Sequence, residues 1–236
     1  MKLNRSFALV VGFTAALQFA TAGNITGKVT LKGTPKPELE ITQVKDDVNC
    51  GKLHTEAVKT RFFVVGAGGE LADTVVMLKG ITGKSTGAAA APLQIDQKGC
   101  EYLPYVAVAQ TGQKIAVKNS DPAMHNVHPS PVATGNKEEN KAQFADAAAL
   151  TFDFPTAENF LKFKCDVHPW MFAWVTVVDH PYFALSGQDG SFTIKDVPPG
   201  KYTLVALHRK AALTGVEQAI EVTADGAKAD FTLEVK

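Results

Sequence analysis

The sequence predicts an all-β protein, and three observations support this prediction. Short runs rich in β-branched and aromatic residues recur along the chain. Clusters of Gly, Pro, Asn and Asp separate these runs at intervals typical of turns. Helical periodicity is weak throughout, and only "NKEENKAQFADAAAL" (136–150) is expected to hold a short helix. Many short strands with frequent turns favour a β-sandwich or a β-barrel.

The chain begins with the layout of a secretory signal peptide. Lys2 and Arg5 precede the apolar stretch "FALVVGFTAALQFA", and small residues follow, so cleavage is expected after Ala22. The stretch is too short and too interrupted for a transmembrane helix, which needs about 20 apolar residues. A buried N-terminal helix is the alternative. We therefore predict an exported protein without a membrane span, located in the periplasm or outside the cell.

Strand-like runs follow the signal peptide in regular succession. "NITGKVTLKG" (24–33) alternates polar and apolar residues, as a strand with one buried face does. The later runs share a high content of β-branched or aromatic residues and lie at 60–80, 105–121, 150–155, 159–165, 172–179 and 190–208.

The low-complexity patch "GKSTGAAAAP" (83–92) is typical of a linker or a long loop, and the last β-branched run of the middle region ends near residue 179. These two positions, together with the cleavage site, predict a division into four segments. They are a signal peptide (1–22), an N-terminal β region (23–91), a central β domain (92–180) and a C-terminal β region (181–236).

The charges of the chain are balanced. There are 24 Lys and Arg against 24 Asp and Glu, and loss of Lys2 and Arg5 with the signal peptide leaves a formal net charge of −2. A near-neutral chain lacks the electrostatic attraction on which binding to nucleic acid or to an anionic membrane depends. We therefore expect neither as a partner.

The segment "CDVHPWM" (165–171) holds three metal-binding side chains within seven residues. Thiolate, imidazole and thioether together suit copper better than calcium, magnesium or zinc, because thioether sulfur is a poor zinc ligand. Covalent haem needs a second cysteine in the motif, and a binuclear copper site needs two as well. The motif therefore predicts one copper ion, bound by Cys165, His168, Met171 and a further imidazole.

That further imidazole is expected from "NSDPAMHNVHPS" (119–130), which offers His125 and His128. In an extended segment, residues three apart point to opposite faces, so both do not reach one buried metal. His125 directly follows a turn and is the preferred candidate. Three other histidines have no partner at ligand spacing and are expected in structural roles or on the surface: His54, His180 and His208.

The cysteine count also bears on the site. Three cysteines in an oxidising compartment leave one thiol without a disulfide partner. If Cys165 binds the metal, Cys50 and Cys100 are the natural disulfide pair. The alternative is that both are buried free thiols, which pack as small hydrophobic residues.

"NSDPAMHNVH" followed by "CDVHPWM" resembles the cupredoxins, the type 1 copper proteins, in the variant with a short Cys-x-x-His-Pro-aromatic-Met loop. The resemblance covers residues 92–180 and implies a Greek-key β-sandwich there. It also implies three equatorial copper ligands and one weak axial ligand. These are His125, Cys165 and His168 in the equatorial plane and Met171 on the axis.

Two residues beside the ligands, Asn126 and Val167, are expected to surround the site. Val167 stands where cupredoxins with this loop carry proline, so it adds a backbone N–H that can donate to the Cys165 sulfur. Such a hydrogen bond stabilises the electron-rich thiolate and favours the reduced copper. We therefore expect a higher reduction potential than that of the proline-containing loops.

The segment "SGQDGSFTIKDVPPGKYTLVALH" (186–208) resembles the carboxypeptidase regulatory-like domains, which are β-sandwiches of the transthyretin type. A sequence similar to the strand that usually opens such a domain lies near the N-terminus, in "ITGKVTLKG". We therefore expect 23–91 and 181–236 to form one sandwich with the cupredoxin region inserted between them. Two separate β units in tandem are the alternative. No zinc-protease signature is present, so no peptidase activity is expected.

The resemblance to cupredoxins implies single-electron transfer in the periplasm. A copper ion with four protein ligands has no open position for a substrate, so the protein is not expected to be an enzyme. The exposed edge of His168, framed by Pro169 and Trp170, is the expected electron port. A c-type cytochrome or a dehydrogenase is the expected partner. The alternative is a copper carrier or a scaffold protein without a redox role.

Overall fold

The computed structural model describes residues 21–235, and these are almost entirely strands and turns. The predicted all-β fold class is confirmed. Residues 1–20, and with them nearly all of the predicted signal peptide, lie outside the described residues. Within 21–235, no helix is both long and apolar enough to cross a membrane.

Seventeen strands lie in the described part of the chain: β1 (Gly23–Lys32), β2 (Val75–Leu78), β3 (Leu93–Gln97), β4 (Tyr102–Leu103), β5 (Val106–Gln110), β6 (Ile115–Asn119), β7 (His125–Ser130), β8 (Lys141–Gln143), β9 (Leu150–Phe152), β10 (Glu158–Lys164), β11 (Phe172–Val178), β12 (Phe183–Leu185), β13 (Ser191–Val197), β14 (Gly200–His208), β15 (Ala212–Val222), β16 (Ala227–Lys228) and β17 (Phe231–Glu234).

The helical segments are short. The α-helix α1 covers Thr42–Asp46, and 3₁₀ turns cover Gly51–Leu53 and Gly87–Ala89. The short helix expected within 136–150 is not formed, and that prediction is wrong. β8 and β9 occupy this segment instead, because β8 obtains its backbone hydrogen bonds by pairing with β7. The alanines at 147–149 are exposed, so they offer no apolar face that would stabilise a helix.

Strands from both ends of the chain build one β-sandwich. In its first sheet, β1 lies antiparallel to β13 and parallel to β16 and β17. The second sheet has the order β12-β2-β14-β15. Buried side chains of both sheets form a common core, among them Ile25, Val29, Ile194 and Leu204. The N-terminal and C-terminal regions therefore share their sheets, while the domain limits at residues 91 and 180 stay predictions.

The central part of the chain builds a second sandwich. One sheet has the order β5-β11-β10-β7-β8, and the other has the order β4-β3-β6-β9. β10 lies between β7 and β11 and is antiparallel to both. The core between these sheets contains Ile115, Val117, Phe163 and Val175 together with two of the predicted copper ligands, Cys165 and Met171. The predicted site is therefore continuous with an apolar core.

A third apolar cluster joins the two sandwiches. Val75, Val205 and Leu207 of the first sandwich pack with Val106 and Phe160 of the second. All five side chains are buried. The sandwiches therefore pack directly against each other across this cluster.

Cys50 and Cys100 form a disulfide, so the predicted pairing is confirmed. The bond joins the segment that follows α1 to the turn between β3 and β4. Both cysteines are buried, and Cys165 is a buried free thiol. The disulfide thus fastens an N-terminal segment to the second sandwich.

A pH dependence of stability follows from one buried histidine of β14. Burial lowers the pKa of His208 to about 4, against an ordinary value of 6.5. Its Nδ1 accepts hydrogen bonds from the backbone N–H groups of Lys210 (3.3 Å) and Ala211 (3.1 Å), which require the unprotonated nitrogen. The unfolded chain therefore binds this proton more tightly than the folded chain. The contribution of neutral His208 is lost as the pH falls from about 6.5 toward 4, and it amounts to roughly 3 kcal/mol.

We expect urea unfolding to reveal this loss between pH 7 and pH 4.5. The matched variant is His208→Asn, whose side-chain oxygen can still accept from the backbone but does not titrate. The variant should be less stable at pH 7 and should lose less free energy of unfolding on acidification. Equal losses in the two proteins would contradict the assignment.

Candidate metal centre

The predicted ligands lie where three neighbouring strands of one sheet end or begin. His125 is the first residue of β7, and Cys165 directly follows the last residue of β10. His168 and Met171 belong to the loop that leads from β10 into β11. Because β10 pairs with both β7 and β11, the loop closes over the start of β7. All four residues are thereby placed at one end of the sandwich.

Three of the four predicted ligands meet at one point. The Nδ1 atoms of His125 and His168 are 2.9 Å apart, and the Cys165 sulfur is 3.7 Å from Nδ1 of His168. One donor atom of each of the three residues lies within 4.8 Å of the other two. Their exposed fractions are 0%, 5% and 2% for His125, His168 and Cys165. Two imidazole nitrogens and a sulfur that converge in a buried site form a donor set that fits copper.

Met171 is the last residue of the loop 165–171, the ligand loop, and is buried, with 1% of its surface exposed. Its backbone closes the loop twice. The N–H of Cys165 donates to the Met171 carbonyl (3.0 Å), and the N–H of Met171 donates to the His168 carbonyl (2.9 Å). The side chain packs in the same apolar cluster as Cys165. Its thioether thus lies in the core that also holds Cys165, and its ligand role stays a prediction.

The sulfur of Cys165 lies in surroundings that favour the thiolate. Burial raises the pKa of this thiol, but a hydrogen bond with His125 and backbone N–H donors outweigh it and hold the pKa below its ordinary value. The N–H groups of Asn126 (3.5 Å) and His168 (3.4 Å) point at the sulfur. The N–H of Val167 contributes less, because it donates to Oδ1 of Asn126 at 3.3 Å. The expected Val167 donor is therefore a minor one, and its effect on the potential stays a prediction.

Asn126 fastens the ligand loop to β7. Its Oδ1 accepts from the backbone N–H groups of Asp166 (2.7 Å) and Val167 (3.3 Å), and its Nδ2 donates to Asn140 (2.5 Å). The residue is buried, with 7% of its surface exposed. A buried amide that satisfies two N–H groups fixes the direction in which the chain leaves Cys165.

The two histidines differ in charge in the metal-free protein. Burial lowers the pKa of His125, but hydrogen bonds with Asp121 and Cys165 outweigh it and raise this pKa to about 9. Burial and the nearby charge of His125 lower the pKa of His168. His125 is therefore the more readily protonated of the two, and its Nδ1–H faces both Nδ1 of His168, at 2.9 Å, and the Cys165 sulfur. A metal bound by both nitrogens would have to release that proton.

The second candidate histidine lies outside the cluster. The ring nitrogens of His128 contact the carboxylates of Asp166 and Glu138, each at 2.6 Å. The structure thus brings His125, and not His128, to Cys165 and His168. Among the other histidines, His180 and His208 are buried, and His54 contacts the carbonyl of Gly99 at 2.6 Å.

The expected exposed edge of His168 is not found, and that prediction is wrong. Only 5% of the residue is exposed, because the segment held by the Cys50–Cys100 disulfide lies against it. A carboxylate oxygen of Asp47 is 3.8 Å from Nε2 of His168. The Trp170 ring lies 5.1 Å from the His168 ring and is itself partly exposed.

Two acidic residues of the site were missed by the sequence analysis. Asp121 lies four residues before His125 and contacts its Nε2 at 2.9 Å. That spacing across the turn "DPAMH" is a local signal that could have identified it. Asp47 carries no such signal, because it is far from His168 in sequence and reaches it only through the folded disulfide segment.

Similarities to known proteins concern parts of the chain. Residues 182–236 match the family model "BOS complex subunit NOMO1-like, second beta sandwich domain". This match agrees with the β-sandwich predicted for the C-terminal region and covers less than a quarter of the chain. No curated protein matches the chain.

Several solved structures are similar in fold. One is a copper-containing nitrite reductase from Thermus scotoductus SA-01, with 17% identity and a TM-score of 0.33; the similarity covers 37% of this chain and 22% of that protein. Another is a mutant of amicyanin in its Cu(I) form, with 19% identity, a TM-score of 0.32 and coverage of 43% and 97%. A third is a purple cupredoxin from Nitrosopumilus maritimus, with 21% identity, a TM-score of 0.30 and coverage of 36% and 98%. Similarities this weak say nothing of what this chain binds.

Asn126→Ala should destabilise the metal-free protein. The substitution removes the acceptor of two partly buried N–H groups, those of Asp166 and Val167, and each lost hydrogen bond costs about 0.5–1.5 kcal/mol of unfolding free energy. Denaturant unfolding of the metal-free protein measures the change. The control is Asn140→Ala, an exposed partner of the same amide, which should change stability by less than about 0.5 kcal/mol. Equal effects of the two substitutions would mean that Asn126 does not hold the loop.

Proposed function

We propose that this chain is a periplasmic type 1 copper protein that carries single electrons between redox proteins. The observation that carries the proposal is the convergence of Nδ1 of His125, Nδ1 of His168 and Sγ of Cys165 in a buried place, with Met171 on the same closed loop. Two histidines, a cysteine and a methionine are the ligand set of blue-copper electron-transfer sites. Copper in such a set alternates between Cu(II) and Cu(I).

The surrounding residues suit this role in two ways. The loop hydrogen bonds and the Asn126 contacts hold the ligands together in the metal-free protein, so little rearrangement is needed on binding. Burial of the ligands keeps water from the sulfur. With four protein donors no position is left for a substrate, so we propose an electron carrier and not an enzyme.

We propose a c-type cytochrome or a dehydrogenase of the periplasm as the redox partner. Since the edge of His168 is covered, Trp170 is the side chain that links the site to the surface. Its ring lies beside that of His168 and is partly exposed. It also lines an apolar cavity of about 270 Å³, together with Tyr105 and Phe172.

A copper carrier or scaffold without a redox role is the second candidate. The covered edge of His168 favours it, because a partner cannot touch that ligand directly. The two functions differ in their expected behaviour. An electron carrier holds copper through repeated oxidation and reduction, whereas a carrier gives up Cu(I) to a chelator or an acceptor protein.

Addition of Cu(II) to the wild-type protein should produce a strong visible band from thiolate-to-copper charge transfer, which ascorbate bleaches and air restores. Cys165→Ser should abolish the band, because a hydroxyl is not a donor of this kind. His128→Gln, which changes the histidine outside the cluster, should keep the band. A band that persists in Cys165→Ser would mean that the sulfur is not a ligand.

Met171→Gln should retain copper and lower the reduction potential, because an amide oxygen is a harder donor than a thioether and favours Cu(II). Cyclic voltammetry of the copper-loaded protein measures the shift. The control is Met124→Gln, which changes an exposed methionine next to His125. An unchanged potential in Met171→Gln, or the same shift in both variants, would argue against an axial role for Met171.

A further inference from the structure

The outer nitrogens of both cluster histidines face carboxylates. Nε2 of His125 contacts Oδ2 of Asp121 at 2.9 Å, and both side chains are almost completely buried. Nε2 of His168 lies 3.8 Å from Oδ2 of Asp47, which is too far for a hydrogen bond and close enough for electrostatic attraction. Each ring therefore has its inner nitrogen in the cluster and its outer nitrogen next to an acidic side chain.

Both carboxylates accept hydrogen bonds from backbone N–H groups at the two cysteines of one disulfide. Asp121 accepts from the N–H groups of Gly99 (2.6 Å) and Cys100 (2.7 Å). Asp47 accepts from the N–H groups of Asn49 (2.8 Å) and Cys50 (2.8 Å). Because Cys50 and Cys100 are bonded to each other, each carboxylate is fixed to one half of the same covalent link.

We propose that Asp121 and Asp47 are positioning residues of the copper site and that the Cys50–Cys100 disulfide holds both in place. This inference rests on the proposed copper function. A carboxylate that accepts the outer N–H of a metal-binding histidine fixes the orientation of the ring and makes the inner nitrogen a better donor. Asp121 does this for His125 through a direct hydrogen bond. Asp47 acts on His168 through its charge and by covering the outer edge of the ring.

The two carboxylates also bear on the preferred oxidation state. Negative charges near the site favour Cu(II) over Cu(I), since the higher charge is attracted more strongly. The backbone N–H donors to each carboxylate stabilise its negative charge. Loss of either charge should therefore raise the reduction potential.

The simpler explanation is that each carboxylate only satisfies the backbone of its own turn. The isosteric variants Asp121→Asn and Asp47→Asn separate the two roles. In Asp47→Asn the side-chain oxygen can still accept both backbone N–H groups, because both donate to Oδ1, and the amide group then faces His168. In Asp121→Asn the charge is lost together with one of the two backbone acceptors, because the N–H groups of Gly99 and Cys100 donate to different oxygens. The control is Asp153→Asn, which neutralises an exposed carboxylate that pairs with Lys114.

The test has a metal-free and a copper-loaded part. In the metal-free protein, NMR should show a hydrogen-bonded Nε2 proton of His125 that shifts or is lost in Asp121→Asn and is unchanged in Asp153→Asn. In the loaded protein, Asp121→Asn should weaken Cu(I) retention against bicinchoninate about 10- to 100-fold. It should also raise the potential, because Cu(II), with its higher charge, loses more affinity than Cu(I) does. Asp47→Asn should change both quantities in the same direction and by less.

The double variant Cys50→Ala/Cys100→Ala tests the disulfide. If circular dichroism shows it folded, its Cu(I) retention should fall at least as far as that of Asp121→Asn. Retention equal to wild type would overturn the role of the disulfide. If the variant does not fold, the single substitutions of the carboxylates decide the proposal.

Each outcome is distinguishable from failure of the proposed function. An unchanged Nε2 proton in Asp121→Asn, with unchanged retention and potential, would overturn the positioning role even if the wild-type protein turns blue with copper. Absence of copper binding in the wild-type protein would overturn the proposed function. The NMR measurement of the metal-free protein would then still decide whether Asp121 orients His125.

Discussion

The register between β7 and β10 is the constraint on which the candidate site depends. Lys164 lies opposite His128, so the chain leaves the sheet at Cys165, beside the start of β7. The alternation of the strand then turns Leu161, Phe163 and Cys165 into the core. A slip of one residue would turn all three outward and carry the sulfur away from His125.

Apolar packing protects this register. Phe163 is completely buried, and its ring meets those of Phe152 and Phe154 edge to face at 5.9 and 6.0 Å. Exposing a side chain of this size costs about 1.5–3 kcal/mol. The position of the sulfur thus depends on an aromatic residue two positions earlier in β10 that is not itself a predicted ligand.

Much of the fold and of the ligand loop was predictable, because the signals are local. The kinds of side chain in residues 165–171 indicate the donor set, and the β-branched runs indicate the strands. The alanine-rich segment 136–150 was wrongly predicted to hold a helix, because the pairing of β8 with β7 outweighed the helix propensity of the segment. The position of Asp47 next to His168, and the burial of His168 that results, were not predictable, since they depend on a contact between residues far apart in sequence. That contact exists only once the disulfide segment has folded onto the second sandwich.

The closed state of the site bears on the choice between an electron carrier and a copper carrier. Every predicted ligand has at most 5% of its surface exposed, and two backbone hydrogen bonds close the loop that bears three of them. Release of an ion would require this loop to open or the segment of Asp47 to move away, against a disulfide that fastens it. An electron needs no such opening, because it can cross the packed rings of His168 and Trp170. The cover over His168 denies a redox partner direct contact with that side chain, which counts for the copper carrier, but it hinders the exchange of ions more than the transfer of electrons. On balance the closed site favours the electron carrier.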